Sequence, residues 1–203
     1  MEALYAAEAD PWAAASARYR YQNRKYEVLM SLLPSRRYQR ALDLGCGLGL
    51  MSRHLATRAD TVVGIDVAPS AVARARALHA DQPNLEFETH NLLDLPTSLD
   101  GSFDLVVVAD VLYYLSPLPD ALLKAIALRI ADLLAPDGLC ILVNHYFFQL
   151  DPESRRSRRI HDAFNWSPRF SLQAETRHAF YLVSLLTEAG CTTGDPISQS
   201  TLR

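Results

Sequence analysis

Three glycines fall within seven residues in Asp43-Leu44-Gly45-Cys46-Gly47-Leu48-Gly49, between a short apolar run and a helical pattern. No other feature restricts the chain as much. Glycine reaches positive φ without strain, so the backbone turns tightly there. It also lets a ligand approach the main-chain N–H groups that open the next helix. The spacing excludes two nucleotide-binding loops. A dinucleotide fingerprint needs a third glycine where Leu50 or Ser52 stands, and no G-x-x-x-x-G-K-[ST] run occurs. Asp43 precedes the first glycine by two residues. An acid there disfavours a phosphate and favours a cationic ligand group.

The rest of the chain alternates apolar runs with helical patterns. Residues 41–44, 61–66, 85–90, 103–109 and 139–144 read as strands, and 103–109 is almost purely β-branched and apolar, as a strand buried on both faces requires. Helical spacing marks 48–57, 70–80 with Ser70 as its N-cap, and 118–134, closed by Pro136-Asp137-Gly138. Further on, 153–164 reads as a basic helix. Residues 170–174 and 180–186 read as an antiparallel pair with 175–178 as the hairpin loop; the alternative is a helix ending at Ala189-Gly190. An amphipathic helix over 13–33 precedes Pro34 and belongs to no βαβ unit, so it serves either as a lid over the ligand crevice or as a packing helix. The expected fold is α/β: a doubly wound, Rossmann-like, seven-stranded sheet, mainly parallel with an antiparallel last strand. One domain of 203 residues is expected, 1–37 forming the N-terminal lid region and 38–203 the core.

Composition narrows the partners. A chain 49% hydrophobic and 21% charged buries a core, which excludes wholesale disorder. Cys46, Cys140 and Cys191 have no metal-like spacing, nor do His54, His79, His90 and His178, so neither a disulfide scaffold nor a metal is expected. A net charge of −3 provides no general field for nucleic acid. The longest apolar stretch, 105–115, is interrupted by Asp110 and is too short to span a bilayer. No leader pattern opens the chain. A soluble, cytoplasmic protein without nucleic-acid or membrane partners is expected.

The D-x-G-x-G-x-G pattern resembles motif I of the class I S-adenosylmethionine (SAM) dependent methyltransferases. Other landmarks follow in family order: Asp66 at a strand end, Asn91-Leu92-Leu93-Asp94-Leu95-Pro96, Phe103-Asp104-Leu105-Val106, and Leu133-Leu134-Ala135-Pro136-Asp137-Gly138. The resemblance covers 40–144. It implies SAM as cofactor and S-adenosylhomocysteine as product. It further implies that Asp43, Gly45, Cys46 and Gly47 line the cofactor, and that Asp66, with Val67 beside it, accepts from the ribose hydroxyls. Asn91 and Leu92 fall at the adenine, where the family usually has Asp; Asp94 is the fallback. The Ala109 carbonyl would receive the methionine ammonium, and Trp12 and Tyr21 would close over the cofactor. Asp10-Pro11-Trp12, His145, and the runs 160–164 and 177–183 resemble the NodS-like methyltransferases, whose type member N-methylates an amino sugar. The chain departs from them at Asp94-Leu95-Pro96, where a Trp-Pro is expected.

The acceptor should enter at the C-terminal ends of the fourth and fifth strands. His145 is the general-base candidate there, against a structural histidine at a strand end. Asp110 is placed to hold or orient a cationic amine, and Tyr113, rather than the adjacent Tyr114, to reach the site. Arg155, Arg156, Arg158 and Arg159 form either a solvated face or a receiver for an anionic, phosphate-bearing or nucleotide-linked sugar. The partner expected is a small-molecule acceptor, methylated on nitrogen or on oxygen. A nucleic-acid methyltransferase is disfavoured because Ala109-Asp110-Val111-Leu112 stands where an Asn-Pro-Pro-aromatic tetrad would. A non-catalytic SAM-binding protein on the same fold is the remaining alternative.

Overall fold

The computed structural model describes residues 2–7, 17–115 and 117–190. Seven strands follow the order β3-β2-β1-β4-β5-β7-β6 in a mostly parallel sheet flanked by helices. The chain divides into two compact units, Met1–Ser98 and Leu99–Arg203.

The first unit contains α1 (Glu2–Ala7), α2 (Ala17–Leu32), β1 (Tyr38–Leu44), α3 (Leu50–Ala56), β2 (Ala59–Asp66), α4 (Pro69–Leu78) and β3 (Leu85–Thr89). All three strands are parallel, with β2 in the middle. Ala41–Leu44 and Val62–Asp66 are buried without alternation, because parallel strands are covered on both faces. Phe87 wedges its ring over Gly49 and Gly64. A Cβ at either glycine would come within 2.6 Å of that ring, so both positions need glycine for packing. Helix α2 covers most of the helix expected over 13–33, and residues 13–16 lie outside the described residues. It packs on α3, where His54 Nε2 meets Asn23 Oδ1 at 2.8 Å. Arg58 donates to the Met30 and Pro34 carbonyls and so closes the C-terminal end of α2.

Ser70 is not the N-cap of α4. Ala68 takes that place and Pro69 opens the helix, where its fixed φ and missing N–H cost nothing. Ser70 instead donates its N–H and hydroxyl to Glu2 of α1, a helix that no sequence pattern announced.

The second unit contains β4 (Phe103–Ala109), α5 (Asp120–Leu133), β5 (Leu134–His145), α6 (Pro152–Asn165), β6 (Phe170–Arg177) and β7 (Tyr181–Glu188). β4 and β5 are parallel, and β7 runs antiparallel to both β5 and β6. Pro136-Asp137-Gly138 lies inside β5 rather than in a turn before it. The strand absorbs it through a register shift between Phe103 and Leu105, with Asp137 at φ 62°. The final strands extend further than expected, so the connection is 178–180 rather than 175–178. β7 sits between two neighbours and is buried from Tyr181 to Thr187, which is why its apolar run shows no alternation.

Helix α6 packs its apolar stripe on this sheet and carries His161 into the interior, with no exposed surface. His161 Nδ1 lies 2.8 Å from Ser184 Oγ, which in turn donates to Glu175 at 3.3 Å. Burial and the Arg158 charge depress the imidazole to about 3. The unfolded chain therefore takes up a proton near pH 6.5 that the folded chain refuses. This contribution to stability is whole above pH 6.5 and is lost as pH falls toward 3. Asp43, raised to about 6 by burial, acts with the opposite sign between pH 6 and 3.8. Comparison with a His161→Gln variant cancels it. In denaturant unfolding, the stability gap between wild type and variant should narrow by about 1.4 kcal/mol per pH unit below 6.5. A gap independent of pH would show that His161 is not held neutral.

Candidate active site

In the first unit, the glycine loop continues β1 into α3. Gly45, Gly47 and Gly49 have φ of 76°, 54° and 75°, so each uses the freedom of glycine. The loop N–H groups are already engaged. Gly45 and Cys46 donate to the Ile65 carbonyl, Gly49 donates to the Cys46 carbonyl, and Gly47 donates to Asp66 Oδ2 at 3.0 Å. These four donors are taken within the protein.

Asp66 closes β2 and is only 7% exposed. Its Oδ2 holds the glycine loop, and its Oδ1 accepts from Ala68 N–H at 2.9 Å. Each carboxylate oxygen retains a second lone pair, so a vicinal diol can still donate to it. Asp43 faces elsewhere: buried beneath the loop, it accepts from Ser52 Oγ at 2.6 Å and ties β1 to α3. The Cys46 side chain packs with Val72, Ala75 and Phe87. Burial, with the Asp43 and Asp66 charges, pushes its thiol well up, so only its backbone borders the loop surface. Val67 is exposed beside Asp66. Asn91 caps a short 3-10 turn over Leu92–Asp94, its Oδ1 accepting from Leu93 N–H at 3.0 Å; one lone pair remains for an amine.

Tyr21 lies on α2, and Trp12 falls outside the described residues. Tyr5 of α1 also reaches the loop. It is buried against Leu48, Ala68 and Ala71, and its hydroxyl stands 2.8 Å from where a Cβ on Gly47 would sit. Sequence reasoning missed Tyr5 because a six-residue helix carries too little periodicity to register. The Asp66 carboxylate, with a lone pair left on each oxygen, fits the ribose diol of SAM.

The second unit gathers the remaining candidates. Ala109 ends β4, and Asp110 follows with φ 54°, its N–H donating to the Val143 carbonyl. A non-glycine residue there costs about 1–3 kcal/mol and is characteristic of functional sites. Tyr113 meets His145 edge-on, ring centroids 4.5 Å apart, and Phe147 and Phe180 continue the line of rings. His145 Nε2 lies 3.3 Å from the Glu153 carboxylate, near enough for an ion pair with a protonated ring but off the hydrogen-bond direction. Next to it, Asn144 is fully buried, and neither of its amide atoms has a hydrogen-bond partner among the described residues. Glu153, Phe147 and Asn144 carried no sequence signal, since only the packing of α6 beside β5 gives them a role. Among the described residues no group of His, Cys, Asp or Glu is arranged to hold a metal ion, and no helix is long and apolar enough to cross a membrane.

Residues 41–138 match the methyltransferase domain family. The chain is 30% identical over 129 residues to nodulation protein S of Sinorhizobium fredii, covering 64% of this chain and 57% of that protein. It is 36% identical over 91 residues to the ubiquinone biosynthesis O-methyltransferase of Albidiferax ferrireducens, covering 44% of this chain and 36% of that one. The chain thus spans little more than half of the first relative and about a third of the second. Its fold is that of the N-methyltransferase NodS from Bradyrhizobium japonicum WM9 in complex with S-adenosylhomocysteine, with TM-score 0.74, 22% identity, and coverage of 90% and 94%. The fold is thus shared with that of the NodS methyltransferase, and residues 41–138 resemble the methyltransferase domain family. In sequence the chain is similar to nodulation protein S over 129 residues.

The contact between α1 and the loop can be tested. Gly47→Ala should destabilise the protein by about 1–2 kcal/mol through its positive φ alone, and further through the Tyr5 hydroxyl. In a Tyr5→Phe background the penalty should shrink. Equal penalties in urea unfolding of both backgrounds would show that Tyr5 does not press on Gly47.

Proposed function

We propose that this protein transfers the methyl group of SAM to an amine nitrogen of a small acceptor. One observation carries the nitrogen reading. Two carboxylates, Asp110 and Glu153, accompany His145 and the rings of Tyr113 and Phe147 at the C-terminal ends of β4 and β5. Carboxylates draw in a protonated amine, and aromatic faces favour a cation further. The name of the NodS relative, an N-methyltransferase, supports the same choice.

SAM, when bound, supplies an electrophilic methyl carbon on a sulfonium. In the first unit, Asp66 would accept from its ribose hydroxyls, Asn91 and Leu92 would border the adenine, and Gly45 and Gly47 would line it with backbone. In the second, Asp110 and Glu153 orient the acceptor ammonium. His145 takes its proton at Nε2, leaving a nitrogen lone pair to attack. With SAM bound, the methyl would pass from sulfur to that nitrogen, which would take the positive charge and then lose a second proton to solvent. Alignment and proton removal are then the main demands on the protein.

A second reading, O-methyl transfer, has the ubiquinone O-methyltransferase relatives in its favour, with His145 beside Glu153 as the base. The two readings separate on one variant. With an amine acceptor above its own pKa, His145→Ala should lower kcat/KM less than about tenfold. With a hydroxyl acceptor, the loss should be about 10²–10⁴-fold. Formation of S-adenosylhomocysteine with amino sugars and with phenols, in wild type and variant, decides between them; no turnover with either sinks both. Independently, Asp66→Asn should weaken S-adenosylhomocysteine binding in calorimetry by about 1.5–3 kcal/mol. Unchanged affinity would remove Asp66 from the ribose.

A further inference from the structure

Four arginines of α6 looked alike in sequence; the structure divides them. Arg158 is held by Glu175 at 2.6 and 2.7 Å and by Asp162 at 2.9 Å. Arg159 is held by Asp120 at 2.8 Å and by the Leu118 carbonyl. Arg156 faces solvent. Arg155 donates to the Leu150 carbonyl at 2.8 Å, and among the described residues no carboxylate pairs with it.

Arg155, Arg158, Arg159 and Trp166 follow one another at helical spacing along one wall of a cavity of about 680 Å³, whose opposite wall includes Lys124 of α5. Lys124 is exposed and likewise has no carboxylate partner among the described residues. The two uncompensated cations thus lie on different helices of one groove. Trp166 lines the same groove while 80% exposed. An exposed tryptophan beside cations presents a flat face for a planar ring. The volume suits a ligand of nucleotide size. The groove begins at Tyr146, directly after His145, and Glu153, which approaches His145, shares the first turn of α6 with Arg155.

We propose that this groove binds a phosphate-bearing small molecule with a planar ring, and that it anchors the non-reacting end of the methyl acceptor. Phosphate charge falls to Lys124 and Arg155, and the ring stacks on Trp166. The anchoring role rests on the methyl-transfer reading; the binding chemistry does not.

The test is calorimetry on the full chain saturated with S-adenosylhomocysteine, titrated with uridine diphosphate and with uridine. Uridine diphosphate should bind saturably at one site and more weakly as salt rises, while uridine should bind at least tenfold more weakly. Lys124→Ala with Arg155→Ala should weaken uridine diphosphate at least tenfold, Trp166→Ala should weaken it too, and Arg156→Ala should leave it unchanged. These are exposed side chains, and the melting temperature of each variant reports its folding. No saturable binding, unchanged binding in the double variant, or equal binding of uridine overturns the proposal. Failure of the methyl-transfer reading would appear differently, as absent turnover with simple amines.

Discussion

The Asp66 carboxylate is the contact on which the first unit of this protein depends. It reaches across from β2 to the loop after β1 and accepts from Gly47, while its other oxygen accepts from Ala68 at the start of α4. Two N–H groups in a nearly closed place would otherwise lack partners, and an unmatched buried donor costs about 1–3 kcal/mol. Its other neighbours follow from that anchoring. With the loop held, Gly49 and Gly64 must stay small for the Phe87 ring, and Tyr5 seats its hydroxyl at Gly47. The acid that preceded the glycines, Asp43, takes a structural part instead, because Ser52 of α3 claims it.

The second unit uses α6 in two ways at once. Its buried stripe carries His161 to Ser184, where exclusion of water keeps the imidazole neutral. Its opposite face carries the arginines, and Arg158 joins the two through Glu175, which also accepts from Ser184. Guanidinium groups engaged by carboxylates on both sides are held in place and add little field. The field that remains comes from Lys124 and Arg155, and the same helix sets Glu153 beside His145. One helix therefore connects the proposed base with the proposed anchor.

Much of the fold was legible. Residues 103–109 formed the strand that their unbroken apolar run announced, and all of 180–186 but Phe180 proved to be strand rather than helix. The family resemblance over 40–144 agrees with the domain match over 41–138. Local rules failed where a distant residue intervened. Ser70 has the chemistry of an N-cap, yet Pro69 moved the helix start and Glu2 took the hydroxyl. Pro136-Asp137-Gly138 has the composition of a turn, but pairing with β4 continued the strand through it as a bulge. Glu175-Thr176-Arg177 looked like a loop because its side chains are polar, although β6 lies at the sheet edge, where polar residues are tolerated.

By itself the sequence determined the order of strands and helices, the glycine turn and the acid at the end of β2, because each is written in spacing along a few consecutive residues. It also brought Asp110, Tyr113 and His145 toward one end of the sheet, since strand ends follow from strand positions. Tertiary structure alone decided that Tyr5 attends Gly47, that Glu153 approaches His145, and that Arg158 and Arg159 are paired with carboxylates while, among the described residues, Lys124 and Arg155 are not. Whether a charge is paired depends on which carboxylate lies within about 4 Å, a distance set largely by how segments apart in the chain pack together.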